Sequence, residues 1–173
     1  MKNILLLLFL AMGTLSFAKS TSQTVEQIIK DHHATNNYKN YEVTTADDND
    51  KSSEGGVIEY YSRNGELKKV VTKYYGESGK SITEYYVKNN NVYFIYDADY
   101  HYNAPLYVNE TLDKKKTEIK EKRYYFDSDR NLIRYIDENK KIIEDKKKLH
   151  YIQEEIHKNI EEVLLKNKTH KNY

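Results

Sequence analysis

Asp97, Asp99 and His101 alternate along the chain, so a strand would place all three side chains on one side. Carboxylate oxygens and an imidazole at that spacing suit a divalent cation, and a metal-activated water there would make the protein a metal-dependent hydrolase. The plainer reading is that Asp at a strand end before Pro105 simply stops pairing, and on it no metal is held. The other histidines offer less. His32 and His33 are adjacent and point apart on a helix; His150 and His157 are seven residues apart and share a face, but no His-Glu-x-x-His pattern accompanies them. There is no Gly-x-Ser-x-Gly, no phosphate loop, no dinucleotide fingerprint and no Cys to act as a nucleophile. Carboxylates are plentiful, and none sits in an apolar context that would raise its pKa. The residue inventory therefore assigns no catalytic residue, no metal and no cofactor.

Binding chemistry is better represented. The chain has 18 Tyr. A rigid ring with a hydroxyl supplies contact area at low entropic cost, which is why Tyr is enriched in binding surfaces. Tyr61, Tyr85, Tyr96, Tyr100, Tyr102 and Tyr125 are the candidate binding residues. The competing reading is that Tyr is a good strand former that caps sheet surfaces.

These tyrosines need strands beneath them. From Gly56 the hydrophobic period is two. Asn64-Gly65 between alternating runs predicts a hairpin with a type I′ turn, which pairs positions summing to 129: Ile58 with Val71, Tyr60 with Lys69, Ser62 with Leu67. One face then carries Ile58, Tyr60, Leu67 and Val71, and the other Glu59, Tyr61, Lys68 and Val70. Further strands are expected over 81–88, 92–99, 118–126 and 132–136, and a possible one over 41–45. A short amphipathic helix is expected over 21–35, capped by Ser22 or Thr24 and ended by Asn36-Asn37. A long one is expected over 140–168, with Leu149, Ile152, Ile156, Ile160, Val163 and Leu164 as its apolar stripe. Such a helix needs a surface to lie on, and the sheet's apolar face provides it.

Three segments repeat: Glu59-Tyr60-Tyr61 to Leu67, Glu84-Tyr85-Tyr86 to Val92, and Arg123-Tyr124-Tyr125 to Leu132. Each has Tyr-Tyr, an Asn or Asp turn, then Leu or Val. With Gly79-Lys80 between copies, Tyr60-Tyr61, Asn64-Gly65, Leu67, Tyr85-Tyr86 and Asn89 resemble the tyrosine-rich, MORN-like hairpin repeats of bacteria. The resemblance covers 58–94, with a weaker echo at 123–135. It implies a β-meander acting in binding or scaffolding, and no catalytic set.

Composition bounds the rest. The 173 residues allow one domain. Lys2, the apolar run 4–17 and Ser16-Phe17-Ala18 read as a signal peptide over 1–18, with a single domain over 19–173. That apolar run is short of the about 20 residues a bilayer span needs, so no membrane span is expected after cleavage. The remaining chain has 27 basic and 27 acidic residues, which argues against a nucleic-acid partner. Ile, Val, Leu and Phe make up 31 of its 155 residues, so the core must be thin and edged with Tyr. The predicted fold is α+β: an antiparallel meander of about six strands packed by a long C-terminal and a short N-terminal helix. The expected function is an exported, non-enzymatic interaction protein of a bacterial envelope, periplasmic or secreted, meeting a protein, peptide or glycan through its Tyr-rich sheet surface and the 96–107 loop. The alternatives are the hydrolase above and a structural subunit whose open sheet edge pairs with other copies.

Overall fold

The computed structural model of the protein describes residues 20–105 and 116–170, with side chains as far as residue 167. The expected signal peptide, its cleavage point before Lys19, and Tyr107 lie outside the described residues.

The chain folds as an α+β domain. Its antiparallel sheet runs in chain order: β1 (Glu42–Asp47), β2 (Gly56–Arg63), β3 (Glu66–Gly76), β4 (Gly79–Lys88), β5 (Asn91–His101), β6 (Glu118–Phe126), β7 (Leu132–Ile136) and β8 (Ile142–Ile143). The six expected strands are β2 to β7. β1 and β8 extend the sheet to eight.

The turns explain the order. Asn64 and Gly65 both have positive φ, as the type I′ turn requires, and Asn89-Asn90 repeat this geometry between β4 and β5. The last two hairpins share a five-residue turn. In each, an Asp carboxylate accepts two backbone N–H groups: Asp127 Oδ1 from Asp129 and Asn131 at 2.9 and 2.8 Å, Asp137 Oδ1 from Asn139 and Lys141 at 3.0 and 2.8 Å. Arg130 and Lys140 take the left-handed position in these turns.

The register departs from the sum of 129 after two pairs, the first being Arg63 with Glu66. Ser62 faces Leu67 as expected, but Tyr61 then faces Lys69 and Tyr60 faces Val70. Lys68 is the extra residue of a β-bulge. The same bulge recurs after Tyr86 and after Tyr125, with Tyr93 and Ile133 as extra residues. The core partner of Tyr60 is therefore Val70. Val71 belongs to the opposite face, opposite Glu59 and Glu84.

α2 (Lys146–His170) lies on the face of Ile58, Tyr60, Val70, Tyr85, Ile95 and Tyr124. Its stripe is the expected one, Leu149 and Val163 being fully buried. It begins at Lys146 rather than Lys140, because Ile142-Ile143 pair with β7 and Asp145 Oδ1 then caps Lys148 N–H at 3.0 Å. α1 (Thr21–Asn37) is capped by Ser20 rather than Ser22 or Thr24: Ser20 and Gln23 exchange side-chain hydrogen bonds with each other's backbone, a capping box. α1 packs Val25 and Ile28 on Tyr86, Phe94 and Tyr125, on the face opposite α2. The sheet thus has no helix-free face, though α1 covers only the end near the Asn turns. Two buried aliphatic side chains contribute about 1.5–3 kcal/mol each, so α1 is held by a modest contact.

Candidate functional site

The bulged register sorts the tyrosines. In each Tyr-Tyr pair the first ring (Tyr60, Tyr85, Tyr124) enters the core under α2 and the second (Tyr61, Tyr86, Tyr125) faces the α1 side. Rows of cross-strand neighbours follow on the α1 side. One row reads Val43, Tyr61, Lys69, Tyr86, Phe94, Tyr125, Arg134, the next Thr45, Glu59, Val71, Glu84, Tyr96, Arg123. The last reads Tyr75, Lys80, Tyr100, Ile119.

The six candidate residues therefore do not form one band. Tyr85 is 5% exposed beneath α2, on the opposite face from Tyr61, and Tyr125 is 6% exposed beside α1. Neither offers its ring to a partner in this arrangement. Tyr61, Tyr96 and Tyr100 are half-buried on the α1 side. Tyr102 lies just past β5, where its N–H bonds Ser78 O at 2.9 Å.

The half-buried rings, like the fully buried Tyr86 beside them, are largely occupied by the protein itself. Tyr61 Oη donates to Glu59 at 2.7 Å, Tyr96 Oη to Glu121 at 2.5 Å, and Tyr86 Oη to Glu84. Burial and the Glu59 carboxylate together push the Tyr61 hydroxyl up to about 12. Burial likewise raises Tyr86 and Tyr96, helped by Glu84 and Glu121. Cations cover ring faces: Lys69 Nζ is 4.8 Å from the Tyr61 centroid, Lys80 Nζ 4.8 Å from Tyr100, and the Arg123 guanidinium 5.6 Å from Tyr96. Lys73 completes the lattice with a 2.5 Å ion pair to Glu59. Burial pushes the Glu59 carboxyl up, but hydrogen bonds from Lys73 and Tyr61 outweigh it and hold the group below the usual carboxylate range.

Beyond α1 this face ends in an apolar lane that sequence reasoning missed. Tyr75 is 40% and Ile119 50% exposed, with Tyr100 between them and Ile82 and buried Ala98 in the row behind. Under the bulge-free register Tyr75 falls on the core face, so the signal was present but assigned to the wrong side.

Asp97, Asp99 and His101 do share a side, on the α2 face beyond the helix. Lys122 Nζ stands 3.8 Å from Asp97 and 3.7 Å from Asp99, in the place a cation would take. Asp97 Oδ1 accepts from Thr83 at 2.7 Å, and burial with the Asp99 charge raises its carboxyl, so one carboxylate does sit where its pKa is raised, contrary to the sequence expectation. Among the described residues no group of three or more His, Asp or Glu side chains is placed to hold a metal ion. Asp99 and His101 line a broad, open depression with Tyr74, Ser81 and Tyr100; Asp97 does not. A cavity of about 280 Å³ lies between α2 and the β4–β5 and β6–β7 turns, lined by Phe126, Arg130, Gln153 and His157 among others. Gln153 Oε1 is used there to accept Leu132 N–H at 2.6 Å.

No family model, curated protein or solved structure matches the chain.

Proposed function

We propose that this chain is an exported, non-enzymatic binding protein of a bacterial envelope, and that it meets a protein partner through the open half of the tyrosine face. The observation that carries the reading is the row Tyr75, Lys80, Tyr100, Ile119, which leaves Tyr75 and Ile119 exposed on the part of the face that α1 does not cover. An apolar centre rimmed by Lys73 and Glu121 has the composition of a protein interface. Sugar stacking wants bare ring faces, and here Lys80 and Arg123 already lie over Tyr100 and Tyr96. This favours a protein over a glycan.

The experiment is affinity capture from an envelope extract with the wild type and a Tyr100→Ser/Ile119→Ser double variant of unchanged circular dichroism. A partner held through this row loses about 30-fold in affinity, the effect of removing one interface hot spot. Equal recovery by both proteins removes the face from consideration. Sequencing the N-terminus of the extracted protein tests export separately: the reading expects Lys19 first.

A further inference from the structure

His32 sits at the centre of the contact between α1 and the sheet. Its ring meets Tyr86 edge-on with centroids 4.5 Å apart and Phe94 at 4.9 Å. A chain of polar atoms runs from it. His32 Nε2 is 2.9 Å from the side-chain amide of Asn36, the other end of that amide is 3.0 Å from Tyr86 Oη, and Tyr86 Oη also lies against the Glu84 carboxylate.

Asn36 Nδ2 donates to His32 Nε2, and Asn36 Oδ1 accepts from Tyr86 Oη, whose single hydroxyl proton is shared with the Glu84 carboxylate. The Nε2 lone pair is used as an acceptor, so the ring is neutral with its hydrogen on Nδ1. A second proton would go on Nε2, set it as a donor against the Asn36 NH₂, and put a full charge on a ring packed against aromatic side chains.

The surroundings do not welcome that charge. From α1 the ring faces His33, with centroids 5.5 Å apart. From the sheet it faces Lys69 of β3, Glu84 and Tyr86 of β4, Phe94 of β5 and Arg123 of β6. The one carboxylate among them is already bound by Tyr86. Burial first, then His33, Lys69 and Arg123, hold His32 below the ordinary histidine range against the pull of Glu84.

We propose that His32 is a proton-sensitive latch: its neutral ring keeps α1 on the sheet, and its protonation releases the helix and uncovers Tyr86, Phe94 and Tyr125. In the released helix His32 titrates near about 6.5. The docked form therefore has its full advantage above that pH and loses it as the pH falls towards the docked value, by up to about tenfold in the opening equilibrium per pH unit. The inference stands independently of the partner reading.

Amide hydrogen exchange of the intact protein at about pH 7.5 and about pH 5, corrected for the intrinsic exchange rate, tests it. Protection across α1 should fall several-fold at the lower pH while β4, β5 and α2 keep theirs. His32→Phe, which keeps an aromatic ring and cannot be protonated, should make α1 protection independent of pH; His33→Gln should retain the response. The proposal is overturned by equal α1 protection at the two pH values, by a response that survives His32→Phe, or by loosening of the whole sheet together with α1. Should His32→Phe fail to fold, an NMR titration of the wild-type rings decides, since His32 titrating at or above about 6.5 sinks the latch as well.

Discussion

Tyr60 and Tyr74 stand on the same face of the sheet and differ in what surrounds one oxygen. Tyr60 is 1% exposed, and among the described residues its hydroxyl has no hydrogen-bond partner. Tyr74 Oη donates to Asp48 Oδ2 at 2.7 Å. A buried hydroxyl without a partner costs about 1–3 kcal/mol, whereas a hydrogen bond to an ionised carboxylate contributes about 1.5–3 kcal/mol. Tyr60→Phe is thus expected to leave the urea midpoint unchanged or raise it, and Tyr74→Phe to lower it. Comparable losses in the two variants would show that the Tyr60 hydroxyl is bonded after all. Gly79 makes a different demand. A Cβ there would stand 2.2 Å from the backbone oxygen of Tyr100, which cannot move without disturbing the Gly79–His101 pairing. At Gly76 a Cβ meets only Gly79 O, at 3.7 Å. Gly79→Ala should cost about 1–3 kcal/mol in urea unfolding and Gly76→Ala far less. The same close approach seats Lys80 over the Tyr100 ring in the proposed contact row, so Gly79→Ala should weaken partner capture too.

At the scale of elements, α2 offers the cleanest contrast. Leu149 is buried against the sheet, while Leu165 is 59% exposed. Leu149→Ala should destabilise by about 2–5 kcal/mol and Leu165→Ala by within about 0.5 kcal/mol, both read from denaturant midpoints. That stripe was legible in the sequence because a helical period needs no knowledge of the rest of the fold. The strands were legible as elements, and Asn64-Gly65 gave the turn, but the register was not. A bulge inserts one residue of no special type, here Lys68, Tyr93 and Ile133, and each insertion moves everything beyond it to the other face. The shift transferred Tyr75 from core to surface and exchanged Val71 for Val70. β8 was hidden because Ile142-Ile143 reads equally as the start of an apolar helix stripe. Its signal is a second copy of the Asp turn, Asp137 to Ile142 following Asp127 to Leu132 ten residues on. The splay of each Tyr-Tyr pair across the sheet followed from strand geometry alone. Which ring of each pair stays reachable did not, because that depends on where α1 comes to rest.

At the scale of the whole molecule, the sheet is a linear array in which each strand pairs only with its sequence neighbours. Such an array has little to couple its first strands to its last, and cooperativity must come from an element that crosses it. α2 does so. Its N-terminal half packs at β7, and its C-terminal half reaches the end of β1, where Lys166 Nζ is 2.7 Å from Asp48 Oδ1 and Glu162 is 2.7 Å from Lys51 Nζ. Burial alone would push the Asp48 carboxyl up, but hydrogen bonds from Lys166 and Tyr74 hold it below the usual range. The clasp's contribution is therefore present above about pH 3.9 and lost as the pH falls through the lower, folded value. Truncation after Lys158 tests the coupling. It removes Ile160, Val163, Leu164 and Lys166, which lie towards the β1 end, and leaves Leu149, Ile152 and Ile156 in place. Amide protection should then collapse across β1 to β3, where Ile58, Tyr60 and Val70 lose cover, and persist across β5 to β7. A single thermal transition should split in two. If the shortened chain still unfolds in one step with protection lost evenly over all eight strands, the array is held together by strand pairing itself and α2 is only its covering layer.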